Sequence, residues 1–146
     1  MMAANPILID TSILVTASAP ARHGHEVTLR WLISTRGLII PAQVMREYLV
    51  VATRPEAVNG LGRTPAQARR NLVVFLGWGQ PLAEDRAILP AFNALLDRHR
   101  VVGKRFHDAW LAATAITHGI HRLATFNPAD FTAFADQMQL IDPTLS

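Results

Sequence analysis

Short apolar runs alternate with longer amphipathic stretches along the whole chain, and this alternation limits the fold more than any other feature. Pro6-Ile7-Leu8-Ile9 reads as a buried strand that ends at Asp10, and a helix follows from about Ile13. His25 to Thr35 reads as a second helix, stopped by Gly37. Leu38-Ile39-Ile40 is a second strand, and Pro41 suits the first position of a helix running to about Thr53. Thr64-Pro65-Ala66-Gln67 has the form of an N-cap with a capping-box Gln, opening a helix that runs to Gly77. Gln80-Pro81-Leu82 is a third short strand, and Asp85 to Arg98 a further helix in which Glu84 or Asp85 supplies the cap. Phe106 to His118 is a helix stopped by Gly119, Arg122 to Thr125 a strand, Pro128 to Ala135 a short helix and Gln139 to Ile141 a last strand. Strands that are apolar throughout and separated by helices predict an α/β fold with a central parallel sheet covered on both faces.

A length of 146 residues, half of them hydrophobic, suits one domain with a substantial core. There is no repeat, low-complexity segment or internal linker. The absence of cysteine excludes a disulfide scaffold, a thiolate zinc site and an iron–sulfur cluster, and fits a cytoplasmic protein. No basic region precedes a long apolar core at the N-terminus, so no signal peptide is expected. No apolar run approaches the roughly 18 residues of a membrane helix.

Against this apolar background the acidic positions stand out. Asp10 ends the first strand. Glu47 shares a helix face with Val44 and Val51, at spacings of three and four. Asp108 sits in the first turn of a helix that is apolar nearly all round, where the helix dipole favours an acid. Asn127 and Asp130 follow the fourth strand. Ligand sites in open parallel sheets lie beyond the carboxyl ends of the strands, so all of these converge on one edge. Carboxylates in apolar surroundings are costly unless they pair or bind a cation. Their all-oxygen chemistry points to a shared Mg²⁺ or Mn²⁺.

The formal charge is +3 and the sequence pI about 10.5. All but one of the 14 basic residues are Arg, the exception being Lys104. Arg suits bidentate phosphate contacts, which agrees with a nucleic-acid partner; Arg-rich and Ala-rich usage also follows from a G- and C-rich genome. The six His residues read as surface or turn residues rather than ligands, and Trp31, Trp78 and Trp110 as core or interface residues rather than base-stacking platforms.

Ile9-Asp10-Thr11-Ser12, Glu47 after Pro41, His107-Asp108-Ala109 and Thr125-Phe126-Asn127-Pro128-Ala129-Asp130-Phe131 together resemble the PIN domain, and more narrowly the VapC ribonuclease toxins of bacterial toxin–antitoxin pairs. The resemblance covers about residues 5 to 142. It implies a three-layer α/β/α PIN-like fold over a single domain, residues 1–146. It implies Mg²⁺- or Mn²⁺-dependent endoribonuclease cleavage, an RNA substrate, a cognate antitoxin and a homodimer. Asp10, Glu47, Asp108 and Asp130 map onto the catalytic acids, and Asp10, Asp108, Asn127 and Asp130 onto the metal position. Thr11, Ser12 and Thr125 are the hydroxyls placed to support them. Many members have Asp where Asn127 stands, so either Asp130 supplies that charge or Asn127 serves through its amide oxygen. The apolar run from Leu72 to Trp78 is the candidate contact surface for a second copy.

Three other readings remain at this point. A PIN-like nuclease of RNA maturation or DNA processing carries the same acids. A metal-free RNA-binding PIN relic is compatible with the Asn127 departure. A phospho-acceptor receiver domain also has an Asp at a strand end, but wants a paired acid early in the chain and a Lys after its last strand, and neither is present.

Overall fold

A computed structural model describes residues 5–145. Five strands form one all-parallel sheet in the order β3-β2-β1-β4-β5: β1 Ile7–Ile9, β2 Leu38–Pro41, β3 Gln80–Leu82, β4 Arg122–Ala124 and β5 Gln139–Ile141. The central strand β1 pairs Leu8 with Ile39 on one side and with Leu123 on the other. All three of its side chains are buried, which is why it reads as an unbroken apolar run. The order reverses at β1, since β2 and β3 extend to one side and β4 and β5 to the other. The crevice beyond the ends of β1 and β4 is therefore the sheet's topological switch point.

Six α-helices flank the sheet in a three-layer α/β/α arrangement: α1 Thr11–Ser18, α2 His25–Ser34, α3 Ala42–Thr53, α4 Pro65–Trp78, α5 Leu89–Arg98 and α6 Arg105–Thr117. The main core joins the sheet to α1, α3 and α4, and a second apolar cluster forms where α5 packs on α6. Tyr48 of α3 is fully buried, and its hydroxyl bonds Ser18 at 2.7 Å and Asn71 at 3.2 Å. That network ties α1, α3 and α4 together without leaving the phenol unsatisfied.

Most boundaries agree with the pattern in the sequence. Thr64 and Gln67 form the expected capping box, at 3.1 and 2.9 Å. Gly119, at φ +66°, ends α6 in a Schellman motif: its own N–H bonds the Ile116 carbonyl, and Ile120 N–H bonds that of Ala115. The differences are local. Pro41 completes β2 and stands one residue ahead of α3, because its extended ψ keeps it out of the helix. The Asp85–Arg98 stretch divides into a 3₁₀ turn, Arg86–Ile88, capped by Asp85, and then α5, with Pro90 in its first turn where no N–H is needed. The Pro128–Ala135 stretch is two 3₁₀ turns, Pro128–Asp130 and Thr132–Gln137. Its buried anchors, Phe131 and Phe134, are three residues apart, which suits the 3₁₀ repeat. In α4, Leu72 and Phe75 face the core while Val73 and Val74 stand in solvent, so only part of the Leu72–Trp78 run is free surface. Among the described residues no helix is long and apolar enough to cross a membrane.

Candidate active site

The acids reach one place because each lies at a strand end or in a helix beside it. Asp10 directly follows β1, and its N–H continues the ladder to the Ala124 carbonyl of β4 at 2.9 Å. Thr125 follows β4 in the same way, bonding the Ile141 carbonyl of β5 at 3.0 Å. This register brings the Thr125 hydroxyl within 2.8 Å of Asp10 Oδ2. The Ser12 hydroxyl donates to the same oxygen at 2.8 Å and accepts from Phe126 N–H at 3.0 Å. Asn127 N–H in turn donates to Thr125 Oγ1 at 2.9 Å. The β1 and β4 ends are thus laced together through Asp10, Ser12 and Thr125.

Glu47 enters from the first half of α3. Thr11 Oγ1 donates to its Oε1 at 2.8 Å, while Gln43, one turn earlier, approaches Oε2 at 3.5 Å. Gln43 is buried, and its amide also donates to the His107 carbonyl at 2.9 Å, which pins α3 to the first turn of α6. Asp108 projects from that turn. Asp130 lies on the 3₁₀ turn after Asn127, and Arg105 donates to its carbonyl oxygen at 3.2 Å.

A cleft of about 670 Å³ is lined by Asp10, Thr11, Ser12, Glu47, Asp108, Asn127 and Asp130. Seven of the eight sequence-predicted residues therefore share one cavity, and the eighth, Thr125, holds Asp10 from behind. Asp10, Glu47 and Asp108 are partly buried; Asn127 and Asp130 are exposed. Burial pushes the Asp10 carboxyl up, against the opposing pull of the Thr125 and Ser12 hydroxyls and the N–H groups of Thr11 and Ser12. Asp108 is raised to about 6, first by desolvation and then by the charges of Asp130, Asp10 and Glu47, with Arg105 pulling the other way. Among the neighbouring charges Asp130 acts most strongly on Asp108.

Gln43, Arg22, Arg46, Arg54, Lys104 and His107 also line the cleft, and sequence reasoning did not assign them to it. Gln43 had a detectable signal, standing four residues before Glu47 on the same helix face. His107 is adjacent to Asp108. The three Arg residues carry no signal in the sequence, since only the fold sets them at the cleft.

The donors are all oxygen and mutually repelling, which is the chemistry of a hard divalent cation site. Among the described residues no group of three or more His, Asp or Glu side chains is arranged to hold a metal ion. The donor chemistry fits such an ion.

Fold and cleft together define a parallel α/β protein with an acidic site at the switch point of its sheet. Residues 7–136 match the PIN domain, and the chain belongs to that family. No match was found among curated proteins. Similar solved structures include FitAcB from Neisseria gonorrhoeae, with a TM-score of 0.71 and 20% identity over 94% of this chain and 98% of that one. VapBC2 from Rickettsia felis, bound to a DNA fragment from their promoter, gives 0.71 and 17% over 93% and 97%. VapC20 from Mycobacterium tuberculosis, a sarcin–ricin loop cleaving toxin, gives 0.66 and 17% over 87% and 94%. At these identities the likeness establishes the shared fold.

Proposed function

We propose that this protein is a Mg²⁺- or Mn²⁺-dependent endoribonuclease, the toxin of a type II toxin–antitoxin pair, acting in the cytoplasm as a homodimer held inactive by its antitoxin. The carrying observation is the convergence of Asp10, Glu47, Asp108 and Asp130 from four separate segments on one cleft, with Asp108 raised to about 6. Membership of the PIN family and a fold shared with a sarcin–ricin loop cleaving toxin support the reading.

In this mechanism Asp10, Asp108, Asp130 and the Asn127 amide oxygen would hold the cation, which would supply Lewis-acid polarisation of the phosphodiester and a water of lowered pKa. The chain's own residues do the rest. Ser12 and Thr125 both bond Asp10 Oδ2, which orients the carboxylate and leaves Oδ1 without a side-chain donor. Thr11 holds Glu47 by Oε1, so Oε2, with only the long Gln43 contact, is the atom that takes a proton from the attacking water. Arg22, Arg46, Arg54 and Lys104 neutralise the phosphates of the entering strand.

A metal-free RNA-binding role is the second reading. It is favoured by Asn127 standing in the cleft in place of an acid. Cleavage assays decide between them. Parent protein and Asp10→Asn are incubated with RNA and with DNA, with and without Mn²⁺ or Mg²⁺. The expected result is RNA cleavage that needs the metal and is lost in a folded Asp10→Asn. Undiminished metal-dependent cleavage by that variant refutes the assigned site, binding without cleavage favours the second reading, and preference for DNA moves the protein to another branch of nuclease function.

A further inference from the structure

Next to the acidic cleft lies a second cavity of about 340 Å³, walled by Phe92 of α5 and by Phe106 and Trp110 of α6. Gln43, Arg46 and His107 line both cavities, so the two are adjacent. Phe92 packs edge-on against Trp110, with ring centroids 5.0 Å apart, and is tilted against Phe106 at 6.5 Å. Phe106 remains 43% exposed, an aromatic ring held open beside the site. Gln43 and Trp110 are among the lining residues, and Gln43 Oε1 and Trp110 Nε1 are themselves buried with no hydrogen-bond partner. At the mouth Arg46 pairs with Glu84 at 3.1 Å, and its side chain is largely in solvent, so the pair exchanges readily for a phosphate.

We infer that this cavity is a nucleobase subsite: it takes the base of the nucleotide next to the scissile phosphate, stacked on Phe106, while Arg46 holds the intervening phosphate. The inference rests on the nuclease reading and adds to it. Adjacency to the acidic cleft selects a nucleotide as occupant, because a strand whose phosphate lies among the acids runs past Gln43 and His107, which line both cavities. Aromatic rings bind unstacked bases without requiring a particular sequence, which makes the substrate single-stranded at this point. The polar lining residues Gln43, Glu84 and His107 give the subsite a basis for preferring one base over another.

The test uses the full chain in EDTA, where binding is separated from cleavage. Affinities of four single-base RNA hexamers and of an abasic ribose-phosphate hexamer are measured for the parent, Phe106→Ala and Phe106→Trp. Phe106→Ala is expected to weaken the best base-containing hexamer by about five- to a hundredfold, the range for one stacked base. It should leave the abasic hexamer unchanged, and Phe106→Trp should restore the loss. Equal effects on the intact and abasic hexamers overturn the subsite. A shift from dimer to monomer in Phe106→Ala with unchanged hexamer affinity overturns it too, giving the aromatic face to a second copy. Metal-dependent RNA cleavage by Phe106→Ala with the parent's affinity and base preference removes the subsite alone; a parent that neither binds nor cuts RNA removes the nuclease reading as well.

Discussion

Replacing Asp108 by Asn should stabilise the metal-free protein, and only above a definite pH. Burial and the charges of Asp130 and Asp10 raise the Asp108 carboxyl from 3.8 to about 6. Between those values the folded protein holds a proton that the unfolded chain has already released. Stability therefore falls as pH rises from about 4 to about 6, and stays at the lower level above that. The full effect corresponds to about 3 kcal/mol, at ~1.4 kcal/mol for each tenfold change in the ionisation constant. Asp108 is only half-buried, and solvent screening cuts this to about 1.5 kcal/mol. Asn also gives up the carboxylate's favourable interaction with the N-terminus of α6, about 0.5 kcal/mol. The net gain is about 1 kcal/mol above pH 6, or roughly 3 °C in Tm for a chain of this size, and none at pH 4. Paired thermal and urea unfolding of parent and variant in EDTA, at pH 4, 5, 6 and 7.5, measures it. A variant less stable than the parent at pH 7.5, or a gain of equal size at pH 4, refutes the argument that Asp108 is held ionised against its surroundings.

Two further outcomes follow from the same geometry. Thr125→Val keeps the shape of a fully buried side chain but removes the donor to Asp10 and the acceptor for Asn127 N–H. It should cost about 1–3 kcal/mol at neutral pH by urea unfolding, with Thr125→Ser recovering most of the loss; a neutral Thr125→Val would mean the lacing of β1 to β4 contributes little. In calorimetric Mn²⁺ titrations, Asp130→Ala should weaken binding more than Asn127→Ala, because Asp130 is the charge that Asp108 feels most strongly. The reverse order would make the Asn127 amide the ligand and leave Asp130 to its 3₁₀ turn.

The sheet was legible because its strands are buried on both faces, so Ile7–Ile9 and Leu38–Ile40 carry no polar residue that competes with a strand assignment. Asp10 stood out because it ends such a run in company with the acids of three other segments, and the structure sets it partly buried in the cleft that they share. The fourth segment was read less well. Over eight residues the spacing of Phe131 and Phe134 does not separate a repeat of three from one of 3.6, and two 3₁₀ turns read as one short helix. Placing Asp130 correctly needed only the end of β4, so this error did not propagate to the site.

The aromatic pocket was illegible for a different reason. Phe106 and Trp110 stand four apart on α6, and Leu89 and Phe92 three apart on α5, which is the spacing of any helix face buried in a core. Periodicity reports that a face is apolar; it does not report whether protein or empty space lies opposite. That depends on what stands opposite α5 and α6: Phe92 and Trp110 pack partly on the cluster of Ile88, Leu95, Ala109 and Ala113, and the cavity they share with Phe106 is closed by Gln43 and Arg46 of α3 rather than by an apolar side chain. An apolar face opposed by a buried amide and an arginine is not a core, and the mismatch becomes visible only when three helices far apart in sequence are set side by side. The same juxtaposition explains why Gln43 matters: it separates the carboxylates from the rings, and binds Glu47 on one side while lining the aromatic wall on the other. A change at Gln43 should therefore disturb proton transfer and base binding together, whereas a change at Phe106 should disturb base binding alone.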